Sequence, residues 1–214
     1  VSTHYIIMRN GEYDQLFPLE NWGNHIGSSR SGNTYLQTRT ISIELEAAGY
    51  LTHIAGSGGK KAKTVRIDGI NQIEYSFTDN AKFKQDGKTF TYKELKQGLD
   101  YRAVSQPVKM NKNNKIKYTR EYRGYQFYHS YTTPQLNRLK ELLQKIKNEY
   151  PNIPIGCQFS GINAFSEQFP KNKNVSSTAW NKNPGIYTHN SYRTDKRDVF
   201  PQRELINILK EFNS

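Results

Sequence analysis

Hydrophobic and polar residues near the start of the chain follow a pattern that predicts short β-strands. The segment "HYIIMRNGEYDQLFPL" (residues 4–19) contains two apolar stretches joined at Asn10-Gly11. This dipeptide suits a tight turn because both residues tolerate a positive φ angle. The pattern therefore predicts a β-hairpin.

A third strand is predicted in "TISIELEAAGYL" (residues 40–51). Successive side chains of a strand point to opposite faces of the sheet. Ile41, Ile43 and Leu45 then share one face, and Glu44 and Glu46 share the other. Two carboxylates are therefore expected side by side on one surface of the strand.

Two amphipathic helices are predicted in the second half of the chain. In "TPQLNRLKELLQKIKNEY" (residues 133–150), Thr133 is suited to cap the helix and Pro134 fits the first helical position. Pro201 opens the second helix, in "PQRELINILKEF" (residues 201–212). Each helix has an apolar stripe at helical spacing, formed by Leu136, Leu139, Leu142, Leu143 and Ile146 in the first and by Leu205, Ile208, Leu209 and Phe212 in the second.

Strands early in the chain and helices later favour an α/β fold with a central mixed β-sheet flanked by helices. A chain of 214 residues suits one domain, and we assign residues 1–214 to it. Residues 56–120 are interpreted as an insertion with extra strands near 64–67 and 73–77, and "IPIGC" (residues 153–157) as a short strand.

Composition and charge narrow the possible functions. The chain has 31 Lys and Arg against 19 Asp and Glu, so its net charge of +12 favours polyanionic partners. Cys157 is the single cysteine, which excludes an internal disulfide and a cysteine-rich zinc site. No run approaches the roughly 18 apolar residues of a membrane span, and no basic segment precedes an apolar one at the N-terminus. We therefore expect neither a membrane span nor a signal peptide.

The histidines differ in how strongly they suggest a site. His4, in a predicted strand, and His129, in "YQFYHSY", are best interpreted as structural residues with hydrogen-bonded rings. His25 lies in "NWGNHIG", where Trp22 and two glycines form a loop that can close on a ligand. For His25, a structural role and a binding role are equally compatible with the residues.

The segment "GIYTHNSYRTDKRDVFP" (residues 185–201) places His189 after a predicted short strand and Asp198 nine residues later, before the last helix. Imidazole and carboxylate groups are suitable ligands for Zn²⁺. A catalytic zinc site normally has three protein ligands, so the spacing of these two residues alone favours an ordinary charged loop.

Five blocks of the chain together resemble a known family. These are "VSTHYIIMRNG", "QLFPLENWGNHIG", "ISIELEAAGYL", "RGYQFYHSYTTPQLNRLKELL" and "GIYTHNSYRTDKRDVFP". In this order they resemble the zinc-dependent N-acetylmuramoyl-L-alanine amidases, a superfamily that includes phage endolysins and peptidoglycan recognition proteins. The resemblance extends along nearly the whole chain, and the order of the blocks makes it specific.

The resemblance implies a zinc site. His189 matches the second zinc ligand of the family and Asp198 the third, a position that some members fill with cysteine. The first ligand of the family is a histidine upstream of the "VSTHYII" block, so it is expected before Val1. Val199 and Phe200 replace the usual proline and glycine beside the third ligand.

The resemblance also implies roles for four other residues. Lys196 matches a lysine that stabilises the oxyanion, and Glu44 matches the glutamate that acts as general base, with Glu46 the weaker match. Trp22 and His25 match a stretch that lines the substrate groove, although the family usually places these two residues closer together.

The implied activity is hydrolysis of the amide between N-acetylmuramic acid and the L-alanine of the stem peptide, with Zn²⁺ as cofactor and peptidoglycan as substrate. The expected location is the cell wall, the extracellular space or a phage virion, where anionic wall polymers are further partners. One alternative is a wall-binding module of the same fold that lacks catalysis. The other is a basic nucleic-acid-binding protein, which the net charge of +12 and the 15 tyrosines permit but no nucleic-acid motif supports.

Overall fold

The computed structural model describes residues 2–67, 70–96, 103–104, 109–110, 116–117, 122–125, 127–153, 169 and 185–212. The chain divides into two compact units. Unit 1 comprises Val1–Glu46 and Tyr131–Ser214, and unit 2 comprises Ala47–Ser130. The insertion expected at 56–120 falls within unit 2. The strand expected at 153–157 lies outside the described residues apart from Ile153.

Unit 1 contains a three-stranded mixed sheet in the order β2-β1-β3. Its strands are β1 (Tyr5–Ile7), β2 (Tyr13–Gln15) and β3 (Ile43–Leu45). β1 and β2 form the predicted antiparallel hairpin. Gly11 in its turn has a φ of 89°, and a Cβ atom there would lie 2.9 Å from the carbonyl oxygen of Pro134. Glycine is therefore required at this turn both by conformation and by space.

The β3 strand pairs with β1 in parallel, with Glu44 opposite Ile6. The side chain of Glu44 is exposed, whereas Ile43 and Leu45 are partly buried. The alternation predicted for this strand is thus confirmed.

Four helices of unit 1 are α1 (Asn33–Gln37), α3 (Thr133–Glu149), α4 (His189–Tyr192) and α5 (Arg203–Glu211). All five residues of the predicted stripe of α3 are buried, and α3 contacts β1 and α5. The cap of α3 is Thr132 rather than Thr133: its hydroxyl accepts the N–H of Gln135, whose side chain reaches back to Thr132. Pro134 occupies the first turn.

The last helix, α5, begins at Arg203, two residues after Pro201. Its predicted stripe is buried. Gln202, just before the helix, pairs with the main chain of Tyr131: its amide oxygen accepts from Tyr131 N–H at 2.7 Å and its amide nitrogen donates to the carbonyl at 3.1 Å. These bonds fix the start of α5 against the start of α3.

Unit 2 contains a four-stranded antiparallel sheet in the order β12-β4-β7-β8, a sheet in the order β5-β6-β9 and the pair β10-β11. Its core is rich in aromatic rings, and His53 packs against Phe77 and Phe83 at centroid distances of 5.1 and 5.4 Å. The strands predicted near 64–67 and 73–77 are confirmed. The elements of unit 2 are β4 (Tyr50–His53), β5 (Lys60–Ile67), β6 (Ile70–Phe77), β7 (Lys82–Gln85), β8 (Lys88–Thr91), α2 (Tyr92–Lys96), β9 (Ala103–Val104), β10 (Lys109–Met110), β11 (Ile116–Lys117) and β12 (Phe127–Tyr128).

The predicted α/β class is confirmed at the level of mixed helix and strand content, with one mixed sheet and several antiparallel strand pairs. In the described ranges, no helix is long and apolar enough to cross a membrane.

Candidate functional site

The segment before His189 is irregular chain and not the strand that the sequence suggested. Thr188 has extended backbone angles and its N–H donates to the hydroxyl of Ser191 at 3.3 Å. This hydrogen bond pairs the main-chain N–H just before α4, and His189 is the first residue of that short helix. The propensity of Ile186 and Tyr187 for strands is overridden by this local capping.

His189 and Asp198 are brought together by the fold. The Nδ1 atom of His189 lies 3.3 Å from Oδ2 of Asp198, and its Nε2 atom lies 3.0 Å from the carbonyl oxygen of Ile26. The carbonyl can only accept, so Nε2 carries a hydrogen. In a neutral ring Nδ1 then faces the carboxylate with a lone pair, and two facing acceptors require a shared cation.

Either a proton or a metal ion can supply that cation. Two ligands bound to one tetrahedral zinc at about 2.0–2.2 Å are separated by roughly 3.3–3.5 Å, so the pair fits the spacing of two zinc ligands. Among the described residues, no group of three or more His, Cys, Asp and Glu side chains is arranged to hold a metal. The pair thus has the spacing of two zinc ligands, and a zinc site would need a third.

The loop that carries Asp198 is held by Asn190. The side-chain amide of this fully buried residue donates to the carbonyl oxygens of Asp198 and Val199, at 2.5 and 2.9 Å. Val199 has a φ of 59°, which is strained for a β-branched residue. The two bonds from Asn190 help to maintain that conformation and with it the position of the Asp198 carboxylate.

Burial raises the pKa of Asp198, but its hydrogen bond with His189 and the nearby charges of His189 and Lys196 together lower it below the ordinary value. Lys196 also lowers the pKa of Asp195, whose main lowering cause is its hydrogen bond from Arg193. Within the described part of the chain, Lys196 forms no ion pair of its own. In this part of the chain, the positive charge of Lys196 therefore acts on the His189–Asp198 pair and is not neutralised by an ion pair of its own.

A polar pocket of about 350 Å³ lies in the same unit as the pair. It is lined by residues 27–30, which follow Ile26, and by residues 192–195, which follow α4. Arg193 ties its two walls together: Nη1 donates to the carbonyl of Gly27 at 2.6 Å, and the other guanidinium nitrogens bind Asp195 at 2.6 and 2.9 Å.

His25 uses both ring nitrogens within the protein. Nδ1 lies 2.8 Å from the carbonyl of Gly23 and Nε2 lies 2.6 Å from the hydroxyl of Thr40. Burial lowers its pKa to about 4, with smaller lowering effects from His4 and His189. A neutral ring with both nitrogens engaged is poorly placed to serve as a third metal ligand.

The other histidines behave as expected from the sequence. His4 is buried, with Nδ1 2.9 Å from the hydroxyl of Ser42 and Nε2 3.0 Å from the carbonyl of Asn21. In unit 2, His129 accepts the N–H of Ala48 and contacts the carbonyl of Leu95. Both are structural histidines.

In the described structure, Glu44 and Trp22 form no hydrogen bond with His189 or Asp198. Glu44 is exposed at the centre of β3 and, in the described ranges, its side chain makes no hydrogen bond or ion pair. Glu46 instead accepts the N–H of Arg9 at 3.0 Å, so its carboxylate has a structural role. The indole of Trp22 is 55% exposed, as a ring that meets a ligand can be.

Three contributors to the site were not identified from the sequence: Asn190, Arg193 and the carbonyl of Ile26. Asn190 and Arg193 lie beside His189 in the motif, but their residue types alone do not specify their partners.

No protein-family model matches the chain, and no curated protein or solved structure matches it.

Proposed function

We propose that the protein is a zinc-dependent N-acetylmuramoyl-L-alanine amidase with the fold of that family. The observation that carries the proposal is the 3.3 Å approach of His189 Nδ1 to Asp198 Oδ2, with Nε2 of the same ring occupied by the Ile26 carbonyl. These residues also match two zinc ligands in the blocks that resemble the family. The match of His189 and Asp198 to the family and the short distance between their side chains are separate observations, and both support the same two ligands.

His189 and Asp198 would hold the zinc together with a third ligand, which is a histidine in the family that the chain resembles. Bound zinc supplies Lewis acidity, which lowers the pKa of water to about 7 and polarises a carbonyl oxygen. The hydrogen bond between Ile26 and Nε2 would fix the ring so that Nδ1 is the ligand atom, as outer partners of metal-bound histidines commonly do.

Two further side chains would act on the substrate. Glu44 would accept a proton from the attacking water and return it to the leaving amine of the alanine. Its carboxylate is exposed and, in the described structure, forms no ion pair, so it can accept a proton. Lys196 would stabilise the negative charge that develops on the carbonyl oxygen, a type of interaction whose loss costs about a hundredfold or more in kcat.

Substrate contacts are assigned to the surface around the pair. Trp22 would pack on a sugar or peptide face, and His25 would line the groove as a neutral ring. The polar pocket beside Arg193 would accommodate part of the stem peptide. The proposed setting is the bacterial wall or a phage particle, with peptidoglycan as substrate.

The test is digestion of purified peptidoglycan by the zinc-loaded chain, with release of new alanine amino termini as the readout. We expect cleavage by the wild type, a loss of about a hundredfold or more in kcat for Lys196→Ala, and a comparable loss for Glu44→Gln. Lys145→Ala, at an exposed position of α3, is the matched control and should leave cleavage unchanged.

A second candidate is a wall-binding module of the same fold without catalysis. It is favoured by the direct approach of His189 Nδ1 to Asp198 Oδ2, which a proton alone can bridge without a metal. Retention of the chain on peptidoglycan, with no bound zinc and no released amino termini, would establish this candidate and overturn the amidase.

A further inference from the structure

Two successive main-chain carbonyls in unit 1 accept hydrogen bonds from two side chains at the two ends of α4. The carbonyl of Ile26 lies 3.0 Å from Nε2 of His189, the first residue of this helix. The next carbonyl, that of Gly27, accepts from Nη1 of Arg193 at 2.6 Å. Arg193 directly follows α4, and its main-chain N–H donates to the carbonyl of His189 at 3.1 Å. The main chain at 26–27 is therefore bound to both ends of one helical turn.

The guanidinium of Arg193 is held in one orientation by Asp195. Nε and Nη2 donate to the two carboxylate oxygens at 2.9 and 2.6 Å, so the pair is bidentate. This pairing fixes the plane of the guanidinium while Nη1 donates to Gly27. A lysine ammonium is a single point of charge and cannot reproduce this fork of three hydrogen bonds.

Gly27 makes the contact with Arg193 necessary as well as possible. Its φ is 61°, and a Cβ atom there would lie 2.9 Å from Nη1 of Arg193. The side chain of Ile26 is buried and packs with Leu36 and Tyr192, which restrains the position of this residue. The direction of its carbonyl depends on rotation of the following peptide plane, and a glycine leaves that rotation easy. The hydrogen bond from Arg193 to the next carbonyl limits it.

The Ile26 carbonyl determines which ring nitrogen of His189 carries the hydrogen. A carbonyl only accepts, so a neutral ring beside it carries its hydrogen on Nε2 and presents the Nδ1 lone pair to Asp198, 3.3 Å away. If the carbonyl turns away, the hydrogen is better placed on Nδ1, where it is donated to the carboxylate. That tautomer has no lone pair on the atom that faces Asp198, so the two groups can no longer bind one metal ion together.

We propose that Arg193 is a positioning residue of the candidate site. By binding the carbonyl of Gly27, it holds the carbonyl of Ile26 against Nε2 of His189 and keeps Nδ1 as the ligand atom. The identity of the metal as zinc rests on the proposed amidase function, whereas the effect on the ring rests on these contacts alone. Loss of an outer partner of a metal-bound histidine typically lowers metal affinity about tenfold to a hundredfold.

The first readout is the tautomer of His189 in the metal-free full chain, taken from the nitrogen chemical shifts of the ring at a pH where it is neutral. The variants are Arg193→Gln, which removes the fork, and Arg193→Lys, which keeps the charge. Arg138→Gln is the matched control. Arg138 also joins a glycine carbonyl to a carboxylate in unit 1, with Nε 2.9 Å from the oxygen of Gly11 and Nη1 2.7 Å from Glu141.

We expect the wild type and Arg138→Gln to carry the hydrogen on Nε2, whereas Arg193→Gln should populate the tautomer with the hydrogen on Nδ1. Zinc binding, measured by competition with a chelator, should weaken about tenfold in Arg193→Gln and by less in Arg193→Lys. The direction is informative because Arg193 interacts electrostatically with Asp198. Removal of that positive charge alone would favour binding of another cation, so weaker zinc binding cannot be an effect of charge.

An unchanged tautomer in Arg193→Gln would overturn the proposal, as would an equal change of tautomer in Arg138→Gln. If the wild type binds zinc, undiminished zinc affinity of Arg193→Gln would also overturn it. The amidase is tested separately by the release of amino termini from peptidoglycan. A wild type that neither binds zinc nor cleaves peptidoglycan, together with a shifted tautomer in Arg193→Gln, would contradict the amidase and support the role of Arg193 in holding the ring.

Discussion

The Nδ1 atom of His189 lies 3.3 Å from Oδ2 of Asp198, although nine residues separate them in the chain. His189 begins α4, and Asp198 lies in the irregular segment that leads to α5. The fold thus places an imidazole lone pair and a carboxylate within reach of one cation. If that cation is zinc, each residue contributes directly to its affinity.

Substitution of Asp198 by asparagine is expected to lower zinc affinity more than about a hundredfold, beyond the loss typical of changes outside the ligand set. The reason is that a neutral amide replaces a charged ligand oxygen. The measurement is competition with a chromophoric chelator. Asp195→Asn is the matched control, since it makes the same charge change three residues away at an exposed carboxylate bound to Arg193. Equal zinc affinity of Asp198→Asn and the wild type would show that a proton, not zinc, joins the pair.

Removal of the Asn190 amide should loosen the loop of Asp198. Asn190→Ala leaves two carbonyls without their donor, and the expected cost is about 1–3 kcal/mol in the free energy of unfolding. We also expect about tenfold weaker zinc binding, because the carboxylate loses its support. Urea denaturation and chelator competition measure the two effects.

Asn148→Ala is the control for this variant, because Asn148 is exposed on α3 and its side-chain oxygen accepts from the side chain of Gln144. It should change neither quantity appreciably. A stability loss in Asn190→Ala with unaltered zinc affinity would mean that Asn190 supports the fold but not the ligand position.

Thr132 and Thr133 provide a direct comparison of a capping and a non-capping hydroxyl. The Thr132 hydroxyl is buried, accepts from Gln135 N–H and donates to the carbonyl of Arg9, whereas Thr133 is exposed. We expect Thr132→Ala to lower the free energy of unfolding by about 1–2 kcal/mol. Thr133→Ala should change it by less than about 0.5 kcal/mol. Equal effects in urea denaturation would contradict the assignment of the cap.

Thr132 and Thr133 also show which parts of the fold can be predicted from the sequence. The stripes of α3 and α5 were predicted correctly because helical periodicity is local and depends on the residues of the helix alone. The cap of α3 was placed one residue too late. The choice between two adjacent threonines depends on the carbonyl of Arg9, which is 123 residues away in the chain.

Some parts of the candidate site could also be predicted from the sequence and others could not. His189 and Asp198 could be selected because their side chains are typical zinc ligands in a block that resembles a known family. The carbonyl of Ile26 could not, because a main-chain acceptor 163 residues away has no signature in its residue type. The strand expected before His189 was wrong because capping by Thr188 and Ser191 outweighs the strand propensity of the preceding residues.

The histidines near the site should make the stability of the metal-free protein depend on pH. Burial lowers the pKa of His25 from 6.5 to about 4 and also lowers that of His4. Between these values the unfolded chain binds more protons at His25 than the folded chain does, so the free energy of unfolding rises with pH. The contribution of His25 is complete above pH 6.5 and is lost as the pH falls toward 4.

Acidification from pH 7 to pH 4 is therefore expected to cost roughly 3 kcal/mol through His25 at most. Urea denaturation at a series of pH values, with a chelator present, measures the loss. His25→Gln retains a polar side chain but does not titrate, so its profile should be flatter over this window, with the remaining slope due to His4 and other groups. A profile for His25→Gln that parallels the wild type would show that folding does not lower the pKa of His25.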